Sequence, residues 1–136
     1  MKLETGNGAR SRQRVALVLL TVIALGLGSR SGHAWIPGWL SANAGDGLWA
    51  MAVYCALALL RPGAPPRILF TLALTISFSV ELSQLWRAAW LEDLRRTLSG
   101  RLLLGAGWEW ADLLRYTVGA ALAWSVDCRV LRSSRE

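Results

Sequence analysis

Ser77, Glu81 and Gln84 stand at i, i+4 and i+7, a spacing that puts three polar side chains on one face of a helix. They lie inside an apolar run from Ile68 to Trp86 that they alone interrupt with more than a small polar group. A charged carboxylate at the centre of a bilayer costs about 2.5–3.5 kcal/mol on insertion scales, and less near the surface. Glu81 precedes the interface-seeking Trp86 by five residues, roughly 7 Å along a helix axis. It therefore requires a partner, a proton or a watery cleft. Two readings stay open: a hydrogen bond that locks one helix to another, or a functional acid.

Asp46 and Asp112 are the other buried-carboxylate candidates. Gly45-Asp46-Gly47 and Trp110-Ala111-Asp112 both look like helix starts, where an Asp accepts from free backbone N–H groups and complements the helix dipole. In a functional reading, Glu81 and Asp112 form an acid/base pair. Arg115, three residues after Asp112, can pair along the helix or reach the surface. Tyr116 shares the face of Asp112 and either hydrogen-bonds Glu81 or packs. Gly119 and Ala123 are small enough for close helix approach.

Trp86, Trp90, Leu94 and Leu98 recur at spacing four, one apolar stripe of an amphipathic interfacial helix. Arg87, Arg95 and Arg96 lie off that stripe. Their guanidinium groups either face headgroup phosphates or grip a phosphate or carboxylate of a lipid-linked substrate. The segment Leu102 to Trp108 is an apolar dip too short to span. His33 is the single histidine, and a zinc site needs a denser ligand set. There is no Gly-rich phosphate loop, nucleophile elbow or metal motif, so no cofactor is expected. Cys55 and Cys128 read as two free thiols at different depths.

The elements that must position these groups are membrane helices. The chain has 136 residues, enough for one domain; 54% are apolar and 18% charged, below the roughly 25% charged of a soluble domain. That composition excludes a disordered chain. The net charge of +6 is scattered between apolar runs, which argues against a nucleic-acid surface. The runs are Val15–Gly28, Leu48–Leu60, Ile68–Trp86 and Ala111–Val126. With their flanks, each approaches the roughly 17–20 residues of a span. Lipid offers no partner to backbone polar groups, so the segments must be helices; they lack the alternation of barrel strands. The expected fold is all-α: four transmembrane helices, with the amphipathic helix on the outer face between helices three and four. Residues 1–14 form a disordered basic cytoplasmic tail, 15–128 the membrane domain, and 129–136 a second basic cytoplasmic tail. Pro62, Pro65 and Pro66 make the link between helices two and three a short, stiff turn.

With the N-terminus inside, nine Lys and Arg fall on the inner side (Lys2, Arg10, Arg12, Arg14, Arg61, Arg67, Arg129, Arg132, Arg135) against five outside (Arg30, Arg87, Arg95, Arg96, Arg101). This favours both termini in the cytoplasm of a cell with the protein in its inner (plasma) membrane. Trp35, Trp39, Trp49, Trp86, Trp90, Trp108 and Trp110 gather at the outer side and Trp124 near the inner one. A rival reading makes the first run a signal peptide, with Gly32-His33-Ala34 as a small-x-small cleavage site.

The segments Gly45-Asp46-Gly47-Leu48-Trp49-Ala50, Phe78 to Leu85, Leu94 to Gly100 and Leu104 to Gly119 resemble the small bacterial membrane proteins of domain-of-unknown-function family 2809. The resemblance runs from helix one through helix four. Members often carry a His where this chain has Arg101, so no role needing an imidazole there carries over. The order Glu-x-x-Gln, Arg, Asp, Gly is also similar to VanZ-like membrane proteins, some linked to reduced sensitivity to glycopeptide antibiotics. Neither resemblance implies a reaction. The candidate polar site is Asp46, Glu81, Gln84, Arg95, Arg96, Asp112 and Tyr116. The expected partner is a membrane lipid or a lipid-linked envelope precursor, bound by a cell-envelope accessory protein, and no nucleic acid. A membrane enzyme and a purely structural subunit remain as alternatives.

Overall fold

The computed structural model describes residues 10–31, 34–83, 89–100 and 110–131. Helix α1 spans Arg12–Ser29, α2 Gly38–Leu60, α3 Pro66–Ser83, α4 Ala89–Arg96 and α5 Trp110–Val126, which continues in one π-helical turn, Asp127–Leu131. The described residues contain no strand. The long helices alternate in direction. Their proximal end holds the start of α1, the α2–α3 turn and the end of α5. Their distal end holds the end of α1, the start of α2, the end of α3, α4 and the start of α5. Helix α2 is central and packs on α1, α3 and α5, while α3 also packs on α5.

Side-chain size is sorted from inside to outside. The inner stripe of α3 is Leu69, Ala73, Ser77 and Glu81; that of α5 is Asp112, Tyr116, Gly119, Ala120 and Ala123. On the opposite faces, Ile68, Leu72 and Ile76 of α3 and Leu114, Val118 and Leu122 of α5 are exposed, as are Leu17, Leu20 and Leu25 of α1. Both stripes follow the helical period. In water such an exposed apolar face would be costly; in lipid it is the preferred surface, with small residues at the helix contacts. The hydroxyls on the outer face of α3 need no solvent either. Thr71, Thr75 and Ser79 each donate to the carbonyl four residues back, of Arg67, Thr71 and Thr75, so no hydroxyl proton is left facing lipid. Among the described residues, α1, α2 and α3 are the helices long and apolar enough to cross a membrane. Helix α5 has 17 residues and carries Asp112 and Arg115 near its start.

Two expectations change. First, α2 begins at Gly38, just past Pro37, so Gly45-Asp46-Gly47 sits inside the helix rather than at its start, and Asp46 is not a cap. Two glycines would weaken a lone helix in water, but here Gly45 makes room: a Cβ on it would stand 2.9 Å from Arg30 Nε. Gly47 lies at the crossing with α5, near Arg115 and Gly119. Second, the boundary drawn between residues 14 and 15 falls inside α1, and Arg10 is buried. Helix α4 turns Leu91 and Arg95 inward, and Trp90, Leu94 and Leu98 of the expected stripe are exposed. Trp86 lies outside the described residues. Pro66 opens α3 at a position where a helix leaves its N–H unused anyway. Cys55 and Cys128 are both free thiols, the first buried and the second exposed.

Candidate functional site

The distal end gathers a chain of alternating charges. Arg115, in the second turn of α5, donates from Nε to Asn43 Oδ1 at 2.8 Å. Its Nη1 bonds Asp112 Oδ1 and lies 3.5 Å from Asp46 Oδ2. Asp46 in turn faces Arg30 Nη2 at 3.8 Å. The two carboxyl groups neighbour each other directly, and one guanidinium between them offsets their repulsion. Among the described residues, two arginines and two aspartates face one another here. Each comes from a helix end that the alternating topology brings to one level: Arg30 after α1, Asp46 two turns into α2, Asp112 and Arg115 at the start of α5.

Arg30 differs from the others. Its side chain is 38% exposed. Beyond the 3.8 Å approach to Asp46 it makes no side-chain hydrogen bond among the described residues, so its five N–H donors stay available. It lies flat on Gly45, the contact that any larger residue there would obstruct.

One turn deeper, Tyr116 donates its hydroxyl to Glu81 Oε2 at 3.0 Å. Glu81 is wholly enclosed, at 0% exposure, and Tyr116 nearly so. Tyr116 therefore stands between Glu81 and the Asp112 level, on the face of α5 that the i, i+4 spacing predicts. Ser77, one turn before Glu81 on the same stripe, has a buried hydroxyl without a hydrogen-bond partner among the described residues.

The expected cluster is assembled only in part. Asp46 and Asp112 meet, while Glu81 accepts from Tyr116 one turn deeper. Gln84 lies outside the described residues. The arginine between Asp112 and Asp46 is Arg115, because a residue one turn from Asp112 on the same helix reaches it with little extension. Arg95 instead donates from Nη2 to the Ser83 carbonyl at 2.5 Å and from Nη1 to Glu92 at 3.2 Å, tying α4 to the end of α3. Its Nε is buried and unpartnered among the described residues. Arg96 is 80% exposed and faces Asp93 at 3.7 Å. Arg30 and Asn43 were not anticipated. The available signal was level: both flank the same helix ends as Asp46 and Asp112.

A second polar centre, at the proximal end, was missed altogether. Arg10 donates from Nε to Asp127 Oδ1 at 2.5 Å and from Nη2 to Oδ2 at 2.6 Å. Its Nη1 donates to the carbonyls of Pro62 and Ala64 at 2.9 and 2.7 Å. Tyr54 completes Asp127 with a hydroxyl donated to Oδ2 at 2.6 Å. Burial works against the Arg10 charge, but the Asp127 hydrogen bond and charge outweigh it, with Tyr54 adding, and hold the guanidinium pKa above its ordinary value. Four of its five N–H donors are bonded and the side chain is buried, a clamp on the α2–α3 turn and the end of α5.

Among the described residues, no three His, Cys, Asp or Glu side chains gather closely enough to hold a metal ion. The distal cluster can present a guanidinium to an anion.

A sequence model of a family described as a protein of unknown function, DUF2809, matches residues 35–120. The matched span includes α2, α3, α4 and the distal part of α5. It holds every residue of the distal cluster except Arg30, and of the proximal clamp neither Arg10 nor Asp127. No solved structure matches the chain.

Proposed function

Because the chain belongs to the DUF2809 family, whose function is unknown, and has three helices long and apolar enough to cross a membrane, we propose that it is a multi-pass plasma-membrane protein that holds the phosphate of a lipid headgroup or lipid-linked glycan at its distal end. Helix α5 is the fourth span: its 17 residues and the π-helical turn that follows run antiparallel to α1 and α3 through the same depth. Helix α4 lies in the interface, with Trp90, Leu94 and Leu98 toward the acyl boundary.

The observation that carries the reading is Arg30, a half-exposed guanidinium with free donors. It sits at the level where Trp35, Trp39, Trp90 and Trp110 are also exposed. Trp side chains favour the headgroup region, and a guanidinium binds phosphate through paired N–H groups. Asp46 orients Arg30 without saturating it, and Arg115 holds Asp46. Arg96 adds a second exposed charge nearby in sequence to the interfacial face. The enclosure of Glu81 makes the acid/base alternative the weaker one. A cell-envelope role follows if the distal end faces outward.

Two measurements test this. Reporter fusions at Arg61 and Glu136 read cytoplasmic and a fusion at Ser99 reads external; an external signal at Glu136 sinks the four-span arrangement. Native mass spectrometry in mild detergent retains a phosphate-bearing lipid on the wild-type protein, and Arg30→Gln lowers its occupancy about tenfold, the effect of one charge-assisted contact. Equal occupancy in Arg30→Gln removes the headgroup site. The mass of the retained molecule separates a phospholipid from a lipid-linked glycan.

A further inference from the structure

Below Arg30 the outer faces of α1 and α2 leave a groove of about 520 Å³. Its walls are two ridges at spacing four: Leu19, Ile23 and Leu27 on α1, and Leu48, Ala52 and Ala56 on α2. Every residue lining it is apolar or glycine except Arg30 at the distal mouth. The alanines on α2 create the hollow, since large side chains there would fill it. We infer that this groove seats one acyl chain of an anionic glycerophospholipid whose phosphate rests on Arg30, an inference that rests on the headgroup reading above and names the ligand and its place.

Length decides between a lipid and a partner helix. From Leu19 to Arg30 the groove runs eleven residues, about 16 Å along α1. That is about half of the roughly 30 Å hydrocarbon thickness: the depth of one leaflet. A docked transmembrane helix would need a surface continuing through both leaflets. An acyl chain hanging from a headgroup at the distal interface ends where the groove ends. Charge decides the class of lipid. The mouth offers one guanidinium with free donors and, among the described residues, no facing carboxylate nearer than Asp46 at 3.8 Å. A net anionic headgroup gains there, while a zwitterionic one brings its own cation to the same spot. Gly45 keeps the guanidinium low over the groove instead of extended into water.

The test is photolabelling of the full chain in liposomes containing phosphatidylglycerol with a diazirine in mid-chain, against the same probe as phosphatidylcholine. Label is expected on peptides covering Leu19–Leu27 and Leu48–Ala56, about tenfold more from phosphatidylglycerol than from phosphatidylcholine. Ala52→Phe, and separately the milder Ala56→Leu, remove that label while size-exclusion and circular dichroism profiles stay those of the wild type. If one variant misfolds, the other decides. Label spread evenly over the outer faces of α1, α3 and α5, or unchanged in a folded groove variant, overturns the groove assignment. If the phosphatidylglycerol preference then still depends on Arg30, the headgroup reading stands alone. No preference in the wild-type protein overturns both. Cross-linking of this groove to a second copy overturns the lipid assignment in favour of a protein partner.

Discussion

Arg10→Met and Asp127→Leu, made singly, will each abolish most of the folded protein, and made together they will restore much of it. Both side chains are 0% exposed and bonded at two points. Either single change leaves the other charge buried without its partner, a loss of about 3–5 kcal/mol, against a total stability of about 5–15 kcal/mol for an ordinary domain. Arg10→Met also strips the Pro62 and Ala64 carbonyls of their donor. The double variant removes both charges and keeps apolar volume, which is often neutral or better for a buried pair. Thermal unfolding in detergent, arranged as a double-mutant cycle, measures the coupling. Additive losses would show that the pair is not the clamp. The same geometry bears on the signal-peptide reading. Cleavage after Ala34 would remove Arg10 and strand Asp127, so N-terminal sequencing of the folded protein is expected not to begin at Trp35.

Gly119→Val will be nearly as damaging, by about 3 kcal/mol at the upper end of overpacking effects. A Cβ at position 119 would stand 2.0 Å from the Gly47 carbonyl oxygen and 2.7 Å from its carbon. Those are backbone atoms of a neighbouring helix, so no rotamer change relieves the contact and α2 must move away from α5. That motion also pulls Asp46 from Arg115. Gly28→Ala is the control. Nothing lies within 4 Å of a Cβ there, and inside a helix alanine gains about 0.5–1 kcal/mol over glycine. Unfolding midpoints should therefore move in opposite directions. A Gly119→Val protein as stable as the wild type would mean that the close crossing of α2 and α5 does not exist.

What could be read beforehand divides along physical lines. The inner stripes of α3 and α5 were legible because helical period and membrane depth act within one segment: Ser77 and Glu81 share a face, Tyr116 follows Asp112 by one turn, and Gly119 marks the close crossing. Arg10 was not legible, because a basic residue ahead of an apolar run reads as tail, and its partner is 117 residues away. Asp127 reads equally well as the polar edge of a span. Gly45-Asp46-Gly47 misled for another reason. Glycine ends or weakens helices that stand alone, while here Gly45 admits the Arg30 guanidinium. The place of Arg95 was not legible either, because its main partner is the Ser83 carbonyl at the end of another helix.

The span between Arg10 and Asp127 also sets an order in time. A ribosome adding about 5–20 residues per second needs about 2–7 s to go from Glu81 to Tyr116, 35 residues on. It needs about 6–23 s to cover the 117 residues from Arg10 to Asp127. Glu81 therefore emerges before its hydroxyl donor exists, and Arg10 waits longest of all. The first three helices must enter the bilayer while the arginine stays hydrated at the membrane edge. The clamp closes only when the last helix is complete, so a chain truncated anywhere before residue 127 never seals its first helix to the rest.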